Sequence, residues 1–520
     1  MPWRGVGLAI LVLVLARSAI AAPSPLVHGP EASLQPVFSP DASRLAFASA
    51  LSNLVTNDTN GRVLDVFVLD VSSGSTELVS VRADGTGGGD GQSYAPQFTA
   101  GGTAVLFESR AGNLVTNDAN GRVDVYLRDL ASDQTLLLST NRFGVGANGN
   151  SFHPRASADG RRVVFQSQAT DLTLTLDTNG RDDLFLLDLD AGTTTIISTN
   201  RFRQPATNGA AEPFINADGG FVVFRSASLD LVQSPSIGYV TDLYLRRTDN
   251  GRIEMLRAIT NGTRRTVPAL NPTMTSATNQ LACILNGQAA WGTPVGTFRF
   301  DLPTGAAMSH GIGSSTNLSS FRISNLAGPV MSADGSVIAV EGLTGTGTAV
   351  RRGLFLWLPG SADPVELVSD SLPRDSRNFL HSPVLASNGS RVAALHSSGV
   401  LMVFNADGTI AGGPFPADDW SAPALSNDGR LLAFHTLLPN AAGQPATQGL
   451  FLIDLAAALV RLDIRSTANG VEISWTEAAG YTLESVDILG GGWQTVAGVT
   501  GSNVELPLTG GGKFFRLHKP

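Results

Sequence analysis

The feature that most constrains the fold is an aspartate that recurs at a fixed interval. Asp65, Asp124, Asp183 and Asp242 follow one another at steps of 59 residues, and each opens a segment such as DVFVLD or DLFLLD. These segments have the length of a strand and are rich in β-branched, aromatic and other apolar residues. Self-similarity at a period of this size indicates a repeat architecture in which one supersecondary unit is copied along the chain.

The unit around Asp183 shows what is copied. Asp159-Gly160 is a tight-turn dipeptide, since glycine tolerates positive φ and aspartate bonds its own backbone. Four short apolar segments accompany the turn and predict a four-stranded sheet with two apolar faces. Sister sheets stacked around an axis cover both faces without another element, which predicts a β-propeller. The predicted strands are Phe152 to Ala156, Val163 to Phe165, Leu184 to Leu187, and Ile196 with Ile197.

The turns give the number of copies. Eight turns predict eight blades, which is within the usual range for propellers. Seven blades is the alternative, because the fifth and seventh units follow the plan least closely. The turns stand at Pro40-Asp41, Gly101-Gly102, Asp159-Gly160, Asp218-Gly219, Thr278-Asn279, Asp334-Gly335, Asn388-Gly389 and Asp428-Gly429.

One stretch of the unit resembles a known family. Pro154 to Phe165 fits P-x-x-S-x-D-G-x-x-x-x-F and resembles the TolB-like, WD-repeat-like β-propellers of bacterial secreted and periplasmic proteins. The resemblance extends over roughly residues 30 to 460. Such propellers include binding proteins, peptidase gates and polysaccharide lyases, so the resemblance implies a fold and leaves the activity open.

The two ends of the chain differ from the repeats. Residues 1–21 combine Arg4, an apolar run and a small-x-small site, which predicts a secretory signal peptide and a secreted, extracellular or periplasmic protein. Residues 462–520 alternate apolar and polar positions between glycine-rich turns, predict a small β-sandwich and resemble fibronectin-type-III-like modules. Residues 22–461 would then form the propeller. The predicted fold class is therefore all-β, a β-propeller followed by a small β-sandwich domain.

Composition limits the partners. The 57 glycines and 15% charged residues favour many turns and short strands. A formal net charge of -9 makes nucleic acid and anionic lipid poor partners. No transmembrane segment is expected after signal cleavage.

Three repeats share D-x-N-G-R ahead of the third strand. Side-chain oxygens two residues apart, in a sharp turn, are what a hard cation such as Ca²⁺ requires, although calcium takes about six to eight oxygens. The other interpretation is an Asx-type turn, in which Asp and Asn bond backbone N–H groups and the adjacent arginine neutralises a carboxylate. The candidate ligands are Asp58, Asn60 and Asp65; Asp118, Asn120 and Asp124; and Asp177, Asn179 and Asp183.

A second candidate site lies where the innermost strands of a propeller line its central channel. Tyr94, His153, Glu212 and His381 each stand within two residues before the proline that opens a blade. Two histidines and a glutamate are suited to bind a transition metal or to act as acid and base. Some propeller lyases that resemble this family use a histidine-held metal. The alternative is a solvated lining at an open channel mouth.

These observations favour binding over catalysis. The sequence contains no G-x-S-x-G nucleophile elbow, and no residue is predicted to be catalytic. We therefore predict a secreted, non-enzymatic propeller that binds a protein, peptide or glycan through its loop faces. The alternative is an exported polysaccharide lyase or hydrolase with its site at the channel mouth. A structural cell-surface protein is a third hypothesis.

Overall fold

The computed structural model describes most of the chain between residues 36 and 455 and several strands beyond it. The predicted signal peptide, residues 1–21, lies outside the described residues. Within the described ranges the regular elements are strands, and no helix there has the length and apolarity needed to cross a bilayer. The described residues are 36–52, 54–174, 177–233, 242–256, 258–260, 263–265, 269–274, 280–285, 296–301, 306–308, 322–323, 329–344, 351–358, 364–367, 380–417, 423–438, 447–455, 462–466, 470–475, 482–486, 494–496, 499, 503–507 and 514–518.

Each of the four most regular repeats forms one antiparallel sheet of four strands, in sequence order. The strands predicted around Asp183 are confirmed, and Phe165 lies opposite Phe185 between the second and third strands. The first four sheets consist of β1 (Val37–Phe38), β2 (Arg44–Ser49), β3 (Asp65–Asp70) and β4 (Thr76–Leu78); β5 (Ser93–Phe98), β6 (Ala104–Ser109), β7 (Asp124–Asp129) and β8 (Gln134–Leu137); β9 (Ser151–Ala156), β10 (Arg162–Ser167), β11 (Asp183–Asp188) and β12 (Thr193–Ile196); and β13 (Ala211–Ile215), β14 (Phe221–Ser226), β15 (Asp242–Arg247) and β16 (Ile253–Met255).

Four further sheets follow in the described part of the chain, after a separate hairpin of β17 (Ala258–Thr260) and β18 (Thr263–Arg265). In the sixth sheet two short strands, β23 and β24, both pair with β25. These sheets consist of β19 (Ala269–Met274), β20 (Gln280–Leu285), β21 (Gly296–Asp301) and β22 (Ala306–Met308); β23 (Arg322–Ile323), β24 (Val330–Met331), β25 (Ile338–Thr344), β26 (Arg351–Trp357) and β27 (Val365–Leu367); β28 (Leu380–Leu385), β29 (Arg391–His396), β30 (Val400–Asn405) and β31 (Ile410–Pro416); and β32 (Ala424–Leu425), β33 (Leu431–Leu438) and β34 (Thr447–Asp454).

The sheets stand side by side in a closed ring, which is the arrangement of a β-propeller. The first strand of a sheet contacts the second strand of the preceding sheet, as β5 contacts β2 and β13 contacts β10. At the closure, β32 of the last sheet contacts β1 of the first. Apolar side chains of both sheets share one core there, with Phe47 and Leu45 from the first sheet and Leu450 and Leu452 from the last. Each sheet therefore buries its apolar faces against its neighbours.

Pairs of aromatic rings fill the centre of several sheets. Each pair joins the second strand to the third at directly opposite positions, so both rings lie on the same face. Burying one such ring stabilises the fold by roughly 1.5–3 kcal/mol. The stacked pairs are Phe47 with Phe67, Phe107 with Tyr126, Phe165 with Phe185, Phe224 with Tyr244, and Phe434 with Phe451.

The turn between the first and second strands has the predicted chemistry. Asp159 Oδ1 accepts hydrogen bonds from Ser157 Oγ at 2.6 Å and from the Arg161 N–H at 3.0 Å. Gly160 follows with a φ of 70°, in the left-handed region that favours glycine. In the first repeat Ala42 takes this place with a φ of 59°. The turn predicted at Thr278-Asn279 lies outside the described residues.

The C-terminal residues form two further antiparallel sheets of three strands each, ordered β35-β36-β39 and β38-β37-β40. This content is compatible with the predicted sandwich, and the division of the chain at residue 462 stays a prediction. The strands are β35 (Leu462–Ser466), β36 (Gly470–Trp475), β37 (Thr482–Val486), β38 (Gln494–Thr495), β39 (Asn503–Pro507) and β40 (Phe514–His518).

Candidate functional site

Two kinds of loop meet at one edge of the first three sheets. One kind joins the second strand to the third within a sheet, and the other joins the fourth strand to the first strand of the next sheet. Hydrogen bonds hold them together, as where Asn120 Nδ2 donates to Ala147 O at 2.8 Å and Asn141 Nδ2 donates to Asp171 Oδ2 at 3.1 Å. We call this surface the loop face, formed by the described residues of 50–64, 79–92, 110–123, 138–150, 168–182 and 197–210.

In the second repeat the D-x-N-G-R segment is a closed hydrogen-bonded turn around its asparagine. Asn120 donates from Nδ2 to Asp124 Oδ2 at 2.8 Å as well as to Ala147 O. Its Oδ1 accepts the Arg122 N–H at 2.7 Å. Two acceptors at Nδ2 and a donor at Oδ1 fix the orientation of the amide. The amide oxygen of this loop is therefore already used by the backbone.

The two carboxyl groups of the same loop are also hydrogen-bonded. Asp124 Oδ1 accepts from Ser139 Oγ at 2.6 Å. Asp118 Oδ1 accepts the Asn120 N–H at 3.2 Å, and the Tyr126 hydroxyl donates to Asp118 Oδ2. The second loop therefore has the Asx-type hydrogen bonding that was the alternative to calcium.

The third repeat has most of these bonds, with Phe185 at the position of Tyr126. Asn179 again donates to the following aspartate and to a backbone carbonyl, while its own oxygen accepts an arginine N–H. The bonds are Asn179 Nδ2 to Asp183 Oδ2 at 2.5 Å and to Ala206 O at 2.7 Å, Arg181 N to Asn179 Oδ1 at 2.7 Å, Asn179 N to Asp177 Oδ1 at 3.3 Å, and Ser198 Oγ to Asp183 Oδ1.

The first loop has one extra residue before its final aspartate, and its hydrogen bonding differs. Asn60 Nδ2 still donates to Asp65 Oδ2 at 2.6 Å and to Gly89 O at 2.8 Å, and Ser80 Oγ donates to Asp65 Oδ1 at 2.5 Å. However, Asn60 Oδ1 and both carboxyl oxygens of Asp58 are buried without a hydrogen-bond partner. This loop therefore has buried oxygens that the protein leaves unsatisfied.

Burial controls the protonation of these carboxyl groups. It raises the pKa of Asp65, Asp124 and Asp183 to about 7 in spite of the hydrogen bonds that each accepts. It also raises the pKa of Asp58 to about 6. The arginines of the motif are exposed, and no ion pair among the described residues joins them to these carboxyl groups. The neutralising role expected of Arg62, Arg122 and Arg181 is therefore not seen.

The loops differ in how well they fit a cation. Calcium takes about six to eight oxygen ligands, and side-chain oxygens that already accept hydrogen bonds are poor candidates. The second loop has such bonds at each of its side-chain oxygens, whereas the first loop has free ones. In the described part of the chain no three His, Cys, Asp or Glu side chains are grouped so as to hold a metal ion. A cation in the first loop would rely on amide, backbone or water oxygens in addition to carboxylate.

Large apolar side chains project from the loop face. Phe143 is 74% exposed and Phe202 is 65% exposed, and they hold equivalent positions 59 residues apart. Asn141 Oδ1 accepts the Phe143 N–H at 2.9 Å, and Asn200 Oδ1 accepts the Phe202 N–H at 2.9 Å. The loops that carry the rings are therefore held in defined turns.

The channel candidates lie on the innermost strands but in two register positions. His153 and Glu212 stand directly before a proline and have φ values of 53° and 54°. Tyr94 and His381 stand one residue earlier in β5 and β28, where Ala95 and Ser382 have the positive φ. A β-bulge accompanies each of these positions. The backbone strain at this strand position therefore recurs around the ring and does not depend on which side chain is present.

Acceptors from the neighbouring sheet hold these strained residues, and the sequence analysis did not single them out. Glu108 Oε1 accepts the His153 N–H at 2.9 Å. Gln166 Oε1 accepts the Glu212 N–H at 3.3 Å and lies 3.4 Å from His153 Nδ1. The available signal was the phrases FES and FQS, which end the second strand of successive repeats.

The structure connects part of the channel set. Glu212 Oε1 pairs with Arg225 Nη1 at 2.7 Å, which extends the polar chain across the second, third and fourth sheets. Tyr94 lies opposite Glu108, at the start of the same chain. His381 belongs to the seventh sheet, where its Nδ1 lies 3.1 Å from Ser382 Oγ. The two predicted histidines therefore lie in different sheets, the third and the seventh.

A groove of about 1070 Å³ lies between the first and second sheets. Arg82, Glu77 and Arg128 line it together with Thr76 and Asp133. None of the four channel candidates contributes to this groove.

Comparisons with known proteins found solved structures of low similarity. No family model and no curated protein sequence matches this chain. Dipeptidyl peptidase 4 from Porphyromonas gingivalis shows 11% identity and a TM-score of 0.49 over 96% of this chain and 72% of that one. The Dos1 propeller shows 12% identity and a TM-score of 0.48 over 84% of this chain and 97% of that one. An oligogalacturonate lyase from Vibrio parahaemolyticus shows 13% identity and a TM-score of 0.41 over 69% of this chain and 88% of that one. The likeness concerns the fold alone, and the narrower TolB-like and fibronectin-type-III-like resemblances stay predictions.

Proposed function

We propose that this chain is a secreted, non-enzymatic β-propeller of eight blades that binds a protein, peptide or glycan through its loop face. The observation that carries the proposal is the exposure of Phe143 and Phe202 at equivalent positions of neighbouring repeats. Large apolar side chains that are exposed on loops of a rigid scaffold are typical of recognition surfaces.

The loops hold these rings in place before any ligand arrives. Asn200 Nδ2 donates to Asp230 Oδ2 of the next sheet at 2.8 Å, as Asn141 donates to Asp171. The Arg142 guanidinium carbon lies 4.8 Å from the centre of the Phe143 ring, and Arg201 lies 4.7 Å from that of Phe202. A pre-ordered ring loses little conformational freedom on binding, so more of its burial energy contributes to affinity.

The remaining parts of the proposal rest on the sequence. Export rests on the leader in residues 1–21, and the C-terminal module from residue 462 would serve as a spacer or attachment unit. The negative charge of the chain supports a ligand other than nucleic acid.

Arrays of glycans and peptides, probed with the purified mature protein, test the proposal. We expect a ligand whose affinity falls in the double variant Phe143→Ser with Phe202→Ser. Each buried ring contributes roughly 1.5–3 kcal/mol, so the loss should be about tenfold or more for each ring. Ile410→Ser is the matched control, because Ile410 is also exposed but lies outside the loop face. Unchanged affinity in the double variant, or the absence of any ligand, would contradict the proposal.

The polar chain on the innermost strands favours a second candidate, a polysaccharide lyase or hydrolase with its site at the channel mouth. His153 and Glu212 both contact Gln166 in this chain, and an imidazole and a carboxylate are groups that serve as acid and base. Release of product from a polysaccharide, abolished by His153→Ala or Glu212→Gln, would support this function over binding alone. No product release from a panel of polysaccharides would leave the binding function.

A further inference from the structure

The first D-x-N-G-R loop contains a buried carboxyl group that no side chain hydrogen-bonds. Asp58 is 6% exposed, neither of its carboxyl oxygens accepts a hydrogen bond of normal geometry, and the backbone N–H of Asn60 is the group nearby that favours its charged form. Asn60 Oδ1, two residues along, is buried without a partner as well. An unpaired buried carboxylate is among the most unfavourable groups in a protein, so it requires a proton, a water or a cation.

The second loop shows what the first loop lacks. The Tyr126 hydroxyl donates its one proton to Asp118 Oδ2, with Ala111 O as the second acceptor within reach, and thereby satisfies a carboxyl group equivalent to that of Asp58. The first repeat has Phe67 at the equivalent position, which has no hydroxyl. Phe67 and Tyr126 otherwise have the same setting, because each is buried and stacked on the phenylalanine opposite.

The amide oxygen of Asn60 is the other difference between the loops. In the second and third loops, the arginine N–H two residues after the asparagine occupies the amide oxygen. In the first loop, which is one residue longer, Asn60 Oδ1 has no partner although Asn60 Nδ2 keeps both of its acceptors. Among the described residues of this loop, the buried side-chain atoms without a partner are therefore all oxygens, and oxygens are the ligands of a hard cation.

The charges of the loop also favour a bound cation. Asp65, the other carboxyl group of the loop, is fully buried, and no ion pair among the described residues includes Asp58 or Asp65. Two buried carboxylates without a counter-charge repel each other and lose their hydration. Thr59 and Gly61 beside them are exposed, so an ion from the solvent has a short path to the loop.

We propose that the first D-x-N-G-R loop binds one calcium ion through the carboxyl oxygens of Asp58 and the amide oxygen of Asn60, and that the second and third loops bind none. Backbone carbonyls and water would supply the remaining ligands, and Asp65 would contribute negative charge beside the ion. The three repeats would then differ at one position. The first would use a cation and the second the Tyr126 hydroxyl, whereas the third, in which Phe185 also lacks a hydroxyl, keeps the backbone bonds to Asp177 and Asn179.

Calcium titration of the full mature chain tests this proposal. We expect one Ca²⁺ per chain by calorimetry after treatment with a chelator. We also expect the melting temperature to rise by about 3 °C when Ca²⁺ is present at about a hundred times its dissociation constant. Asp58→Asn should abolish both effects, and Asp118→Asn, the matched control in the second loop, should retain both.

A second variant keeps the test decisive if Asp58→Asn fails to fold. Phe67→Tyr places a hydroxyl where the second repeat has one, and it should fold with a melting temperature in chelator at or above that of the wild type. We expect it to lose the calcium response. No calcium binding by the wild type, loss of binding in Asp118→Asn but not in Asp58→Asn, or a full calcium response in Phe67→Tyr would each overturn the proposal.

Discussion

Asn427 Nδ2 donates a hydrogen bond to the backbone oxygen of Pro40 at 2.7 Å, although the two residues are 387 positions apart in the chain. Asn427 lies in the turn of the last sheet and Pro40 in the turn of the first, so this bond joins the two ends of the ring. Ser387 Oγ donates to Asn427 Oδ1 at 2.6 Å and extends the connection to the seventh sheet. Asn427 therefore connects three consecutive sheets at the closure.

We expect Asn427→Ala to weaken the closure. The variant removes both bonds and leaves the Pro40 carbonyl without its donor, so the free energy of unfolding should fall by about 1–3 kcal/mol. Asn388→Ala is the control, because its side chain also reaches the next sheet but does so at an exposed position. Urea denaturation measures both variants. Equal losses of unfolding free energy in the two variants would mean that the hydrogen bonds at the closure contribute no more to stability than an exposed bond between two other sheets.

The Tyr126 hydroxyl should be coupled energetically to Asp118. Tyr126→Phe leaves a buried carboxyl oxygen without its donor, and we expect a loss of roughly 1–3 kcal/mol in the free energy of unfolding. A double-mutant cycle with Asp118→Asn separates this bond from the packing of the ring against Phe107. A coupling energy near zero would show that the hydroxyl is held by Ala111 O alone.

The repeat period was sufficient to predict the fold class and the strands of the regular units. Strand length, β-branched residues and Asp-Gly turns act locally, so the unit around Asp183 folds as its sequence indicates. The exception in the first repeat is also local. Ala42 takes the positive φ that glycine takes in the other turns, which places the turn centre one residue after Pro40-Asp41.

The candidate site was less predictable because its contacts join distant segments. The motif put Asp58, Asn60 and Asp65 together, but the Gly89 carbonyl that fixes the asparagine comes from another loop. The sequence groups Tyr94 with His153 because both stand close before a proline. In the structure Tyr94 is paired with Glu108, whereas His153 lies at the bulge of its own strand, so the two residues hold different register positions. The acceptor Glu108 was missed because it acts on the neighbouring repeat, 45 residues along the chain.

Stability should depend on pH through the buried carboxyl groups of the loops. Burial raises the pKa of Asp124 from 3.8 to about 7 in the folded protein. The folded state therefore keeps a proton that the unfolded chain releases above about pH 4. The contribution of this group is fully present below pH 4 and is lost as the pH rises through 7.

Urea denaturation between pH 5 and pH 8 in the presence of chelator checks this expectation. We expect the free energy of unfolding of the wild type to fall relative to that of Asp124→Asn by up to about 1.4 kcal/mol per pH unit, levelling off above pH 7. The asparagine variant is the reference because its side chain does not titrate. Parallel pH profiles for the two proteins would contradict the raised pKa.

Glu108 should act as a hydrogen-bond acceptor for the neighbouring sheet, and its charge also interacts with the Arg155 guanidinium. Gln166 performs the same role one repeat later with a neutral amide, and Glu341 Oε1 accepts the Ser382 N–H at 2.8 Å farther round the ring. Glu108→Gln keeps an acceptor for the His153 N–H and removes only the interaction with Arg155, so it should lower the free energy of unfolding by less than Glu108→Ala does. Glu108→Ala leaves the His153 N–H without an acceptor beside a strained backbone and should lower the free energy of unfolding by about 1–3 kcal/mol.

The variants Glu108→Gln and Glu108→Ala also separate a structural role from a catalytic role at the channel. A polysaccharide-cleaving activity that is lost in Glu108→Ala but kept in Glu108→Gln would reflect the hydrogen bond to His153 alone. An activity that is also lost in the folded Glu108→Gln variant would contradict the purely structural role and indicate that the carboxylate itself takes part in the chemistry.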